Sequence, residues 1–134
     1  MARFNTTISV TTSHHNELVD ITHQVKRVVR DSGVTQGFCM VYVPHTTAGV
    51  TINENADPSV KSDILNALRH IVPDSLSYRH LEGNSPGHVK ASLMGSSVTI
   101  PVRGGDLALG TWQGIFFAEF DGPRSRKADI CVWE

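Results

Sequence analysis

The apolar stretches of this chain are strand-sized, with "FCMVYV" (38–43) among the longest. Runs of four to eight apolar or alternating residues between turn signals describe β-strands, whereas a membrane-spanning helix needs about 20 apolar residues. The signature recurs throughout. "RFNTTISVTT" alternates, "ELVDI" returns after the polar "SHHN", and "GVTINE" places Val50, Ile52 and Glu54 on one face. "SSVTIPV", "LALG", "TWQGIFFAEF" and "ADICVWE" are further β segments, the last two expected to pair antiparallel across the loop "DGPRSRK".

Helical signals are fewer. Asp20 or Thr22 can cap a helix with Val25, Val28 and Val29 on one stripe, stopped by Gly33. Asp57-Pro58 supplies a capping acceptor followed by proline at the first helical position. The helix it opens carries Val60, Ile64, Leu68 and Ile71 on one side and ends before Pro73. Ser85-Pro86 repeats the signal for a short helix expected to pack Val89 and Leu93 and to stop at Gly95. Strands therefore outnumber two to three helices. The expectation is an α+β fold: a single compact domain, residues 1–134, with a large, mainly antiparallel, sandwich- or barrel-like sheet.

Composition narrows the function classes. With 40% hydrophobic and 19% charged residues and a net charge of −1, the chain has no basic excess to suggest nucleic acid or a membrane as partner. No apolar segment follows Met1, so no signal peptide is expected. Cys39 and Cys131, both inside strand segments, are expected as reduced core thiols of a cytoplasmic protein.

Two stretches hold more hydrogen-bonding groups than turns require. "YVPHTTAGVTINENAD" carries His45, Thr46 and Thr47 at a junction of strands; "YRHLEGNSPGHVK" carries His80, Glu82, Asn84 and His88 on a loop entering a helix. Three imidazoles would leave a fourth tetrahedral position open, as in catalytic zinc sites, with Glu82 or Glu54 able to orient a ring. The H-x7-H spacing is not by itself a metal motif. Glu54 either points inward with Val50 and Ile52 or turns outward where the strand ends. The helix start at Ser85–His88, with Gly87 permitting close approach, favours an anion, as do Arg103 and the loop cations Arg124, Arg126 and Lys127. Trp112 is a candidate stacking ring or a core residue. His14, His15, His23 and His70 are expected to face solvent.

The segments "HTTAGVTINENADPSV", "YRHLEGNSPGHVKASLMGSSVTIPV" and "LGTWQGIFFAEFDGPRSR" resemble the YjbQ-like family, described as secondary thiamine-phosphate synthases, from about residue 5 to the last strand. The resemblance implies a homotrimer with a divalent metal, zinc first and magnesium second, at His45, His80 and His88. It implies a transferase joining a pyrimidine diphosphate to a thiazole phosphate with release of pyrophosphate. Under that reading Glu54, Glu82 and Lys90 are catalytic, while Thr46, Thr47, Asn84 and Arg124 bind the phosphates of a small metabolite. Metal-assisted hydrolysis and non-catalytic metabolite binding by a trimer are the alternatives.

Overall fold

A computed structural model describes residues 3–134. Among these residues, eight strands and three helices follow in the order β1 (Arg3–Thr11), β2 (Glu17–Asp20), α1 (Thr22–Ser32), β3 (Gln36–Tyr42), β4 (Ala48–Glu54), α2 (Pro58–Ile71), α3 (Ser85–Met94), β5 (Ser97–Arg103), β6 (Asp106–Leu107), β7 (Gln113–Glu119) and β8 (Ser125–Trp133). They form a five-stranded sheet, β1-β8-β3-β5-β6, and a three-stranded sheet, β2-β7-β4, curled into a half-barrel. Every pairing is antiparallel. The expected α+β class with its large antiparallel sheet is the fold found. Among the described residues, no helix is long and apolar enough to cross a membrane.

The alternation of β3 and β8 buries one face of the five-stranded sheet, through Cys39, Val41, Ala128, Ile130 and Val132. Against this face sits the α1 stripe of Val25, Val28 and Val29, joined by Phe117 and Ile115 from β7. Full burial of each such side chain contributes about 1.5–3 kcal/mol as an upper estimate. Asp20 Oδ1 accepts from the backbone N–H and hydroxyl of Thr22, fixing the start of α1, and Gly33 ends it. The other face of β7 presents Phe116 and Ala118 to Ile64, Leu65 and Leu68 of α2 and to Ala91 and Met94 of α3. Covered on both faces, β7 reads as a continuous apolar run rather than an alternating one.

Three expectations require correction. β7 and β8 are consecutive but do not pair: β7 lies between β2 and β4, and β8 between β1 and β3. The "DGPRSRK" segment therefore crosses between sheets. Ile71, expected on the packed side of α2, is 66% exposed: it is the last residue of the helix, beyond Ile64, Leu65 and Leu68, which pack against the β7 cluster. In α3, Val89 and Leu93 face outward while Pro86, Gly87 and Lys90 are buried, so the helix is rotated from the orientation its apolar residues suggested. Its close partner is the backbone at Phe120. A Cβ on Gly87 would lie 2.8 Å from the Phe120 carbonyl oxygen, so only glycine allows that approach.

Candidate functional site

The junction of β3 and β4 meets the crossing between β7 and β8 at one end of the half-barrel. Glu119, the last residue of β7, is fully buried, and Arg126 beside it is nearly so. The Arg126 guanidinium grips the carboxylate as a fork, Nε donating to Oε1 at 2.8 Å and Nη2 to Oε2. Thr12 Oγ1 donates to Oε1 at 2.8 Å, and the Asp121 backbone N–H to Oε2 at 2.9 Å. All four lone-pair sites are filled. Burial alone would raise the Glu119 pKa, but the hydrogen bonds from Arg126, Asp121 and Thr12 override it and hold it below the usual value. Arg126 Nη2 also donates to Thr47 Oγ1 at 2.8 Å, and the Phe120 N–H bonds the Thr47 carbonyl at 3.0 Å. This network is the floor that holds the 45–47 segment; of its members the sequence pointed only to Thr47 and to Arg126, the latter as an anion-favouring loop cation, whereas Arg126 is buried against Glu119. A carboxylate inside the apolar run "GIFFAEF" was its signal, since an acid on a fully covered strand requires a partner.

Above the floor opens a cleft of about 410 Å³. His45, Thr46 and Thr47 form one wall; His80, Glu82, Asn84 and His88 form the other; Asp121, Arg124 and Arg126 close the end. Eight expected site residues thus converge from the 45–47 junction, the 80–84 loop, α3 and the 121–126 crossing. Glu54 and Lys90 do not join them. Glu54 ends β4 opposite Gln113, about 20 Å along the strand from Ala48. Lys90 is buried on another side of α3, where Nζ donates to Asn16 Oδ1 at 3.1 Å; burial lowers its pKa. Trp112, 63% exposed, stands at the Glu54 end of β7.

His45 is defined most fully. The Lys127 backbone N–H donates to its Nε2 at 3.0 Å, so the neutral ring carries its proton on Nδ1. Burial, followed by the charge of Arg126, pushes its pKa below the ordinary histidine value. The His80 and His88 rings pack edge to face with centroids 5.2 Å apart, and His80 Nε2 lies 3.8 Å from Glu82 Oε1. Asp121 accepts from Asn84 Nδ2 at 2.9 Å and from Arg124 Nη2 at 2.9 Å. Burial would raise its pKa, but these two donors outweigh burial and keep it ionised. Arg124 Nε also donates to the Asp121 carbonyl at 2.7 Å, leaving Nη1 without a partner among the described residues. The Thr46 hydroxyl is likewise unpartnered among them.

The three histidines share the cleft but do not assemble the expected metal site. Among the described residues, no group of three or more His, Cys, Asp or Glu side chains could hold a metal ion. The physical reason is clearest at His45, whose Nε2 lone pair already accepts the Lys127 N–H. The zinc-binding expectation is withdrawn on this geometry, and no step is assigned to a metal.

Fold and cleft together define a small α+β half-barrel protein with an imidazole-lined polar site where its two sheets meet. The family described as UPF0047 protein YjbQ-like matches residues 6–134, and the chain belongs to it. It is 57% identical over 118 residues to a UPF0047 protein of Methanocaldococcus jannaschii, covering 88% of this chain and 86% of that one. It is 48% identical over 125 residues to the UPF0047 protein YugU of Bacillus subtilis, covering 92% and 95%. Among solved structures it is similar to an uncharacterized YjbQ/UPF0047 protein from Clostridium acetobutylicum, with 53% identity, a TM-score of 0.94, and coverage of 96% of this chain and 99% of that one. It is also similar to a protein of unknown function from Sulfolobus solfataricus, with 37% identity, a TM-score of 0.93, and coverage of 97% and 96%.

These relatives correct the functional expectation. They bear out the family, but they are UPF0047 proteins described without a thiamine-phosphate synthase activity, and the Sulfolobus relative is described as having no known function. Thiamine-phosphate synthesis and the transferase class that came with it are withdrawn. The alternatives of metal-assisted hydrolysis and non-catalytic trimeric binding gain no support from the same relatives.

Proposed function

We propose that the cleft binds a small phosphorylated metabolite and that its imidazoles exchange a proton with it. The observation carrying this reading is the excess of free donors over free acids. His45 Nδ1–H, the Thr46 hydroxyl and Arg124 Nη1 converge on one cleft in which the Asp121 carboxylate is already engaged by Asn84 and Arg124. A phosphate offers acceptors to such a set, and a planar guanidinium suits it geometrically. The paired His80 and His88 rings, with Glu82 beside His80, place imidazole nitrogens able to donate or accept a proton at the same wall.

The test is binding of inorganic phosphate and glycerol 3-phosphate to the parent and to Arg124→Ala, followed by calorimetry and by NMR of the histidine rings. The expected result is saturable binding that perturbs His45, His80 and His88, weakened about tenfold or more in Arg124→Ala by loss of a charge-assisted contact. Absence of ring perturbation at millimolar phosphate overturns the reading. The same proposal places the protein in the cytoplasm, in keeping with its free thiols. It also retains a homotrimer, supported by the outward Phe38 and Tyr42 of β3 and by Leu81 at the cleft rim, all exposed. Light scattering of the purified protein tests the assembly; a monomeric mass would exclude it.

A further inference from the structure

A second cavity, of about 420 Å³, shares His45, Thr46 and His88 with the cleft and extends away from Arg124 along α3. Beyond the shared residues its walls are Ala48, Ala91, Ser92, Gly95 and Ser96, with no charged and no aromatic side chain. The local sequence builds this space deliberately. β4 and the end of α3 approach closely because Gly49 has no Cβ; one placed there would lie 2.5 Å from the Gly95 carbonyl oxygen. Two backbone bonds then lock the 95–96 segment, Val50 N–H to the Gly95 carbonyl at 3.1 Å and Val43 N–H to the Ser96 carbonyl at 2.8 Å. With alanines at 48 and 91, the walls are fixed but small, so the space is preformed.

We infer that the ligand is bipartite: its phosphate occupies the cleft and an uncharged, hydroxyl-bearing carbon skeleton occupies the second cavity, as in a phosphate monoester of a sugar or polyol. This rests on the phosphate reading given above. The Ser92 hydroxyl donates to the His88 carbonyl at 3.0 Å, so its oxygen is left to accept from a ligand hydroxyl. Ser96, exposed and without a side-chain partner among the described residues, can donate or accept. The absence of charge from these five walls disfavours a second anion, and the absence of an aromatic ring removes a stacking surface for a nucleobase. His45 and His88 border both spaces, which sets them beside the ester linkage between the two parts.

The experiment compares inorganic phosphate with ribose 5-phosphate by calorimetry on the parent and on Ser92→Phe, which fills the second cavity from an exposed position and leaves the cleft residues unchanged. Ser96→Leu, at another exposed position of the same wall, does the same should the first variant fail to fold. The expected result is that the parent binds ribose 5-phosphate more tightly than phosphate. The filled variant should lose roughly tenfold in ribose 5-phosphate affinity while inorganic phosphate stays within about twofold. Equal effects on both ligands, or no effect on either, overturn the bipartite inference while leaving phosphate binding in the cleft intact. A parent that binds neither ligand overturns both readings together.

Discussion

Replacing Arg126 with Met tests the floor of the cleft most directly. The substitution removes a guanidinium that is 6% exposed and leaves the Glu119 carboxylate at 0% exposure with half its donors gone. Removing one partner of a buried pair costs about 3–5 kcal/mol, with no discount for solvent screening at such burial. For a chain of 134 residues, this corresponds to a fall in Tm of roughly 10–20 °C. The pH dependence has a definite sign. In the parent, Glu119 has a depressed pKa, so its stabilisation is present above the unfolded carboxylate value and is lost as pH falls through the folded one. In Arg126→Met, burial dominates and raises that pKa, so protonation on acidification relieves the variant. The gap between the two proteins should therefore narrow from about pH 8 to about pH 5, as read by circular dichroism melts at one protein concentration. Adding Glu119→Gln removes the stranded charge, keeps an acceptor for Thr12 or Asp121, and should recover half or more of the loss. A single variant melting within about 3 °C of the parent at both pH values would refute the reasoning, as would a gap that widens on acidification.

Three further outcomes follow from the geometry. Gly87→Ala should cost about 1–3 kcal/mol in urea denaturation, because α3 must retreat from the Phe120 carbonyl; an unchanged midpoint would show that the helix has room. NMR of the His45 ring should find the proton on Nδ1 at neutral pH and a titration midpoint below about 6.5, with stability falling as pH drops below the unfolded histidine value. A proton on Nε2 would contradict the Lys127 hydrogen bond. Cys39, whose thiol burial pushes up to about 12, should resist iodoacetamide in the folded protein and react after denaturation. Ready alkylation of the native chain would place it outside the core.

Local signals in the sequence reported local structure well. Asp57-Pro58 opens α2 with the aspartate side chain accepting from the Ser59 N–H at 2.9 Å, and Ser85-Pro86 opens α3. The Val25, Val28 and Val29 stripe faces the core as its spacing requires. The density of polar groups at 45–47 and 80–88 pointed to one cleft, and the structure brings them together there. What was illegible is non-local. Nothing near Glu119 or Arg126 indicates that consecutive strands enter different sheets, so a hairpin was the natural expectation. The orientation of α3 was hidden because what decides it is a small residue, Gly87, meeting a backbone carbonyl far along the chain; Val89 and Leu93 have no such partner. The zinc expectation met a geometry that sequence cannot show, since a histidine in a sequence does not reveal whether a main-chain N–H has claimed its lone pair, as that of Lys127 has at His45.

The passage of the chain from β7 into β8 has a mechanical consequence. The fork between Glu119 and Arg126 acts as a rivet through the seam of the half-barrel, with the cleft residues mounted on its outer head. Neither sheet can fray at that end without disturbing the recess, and whatever occupies the recess must in turn clamp the seam. Amide hydrogen exchange should therefore slow on both sides of the seam when a ligand is bound, in strands that never touch it.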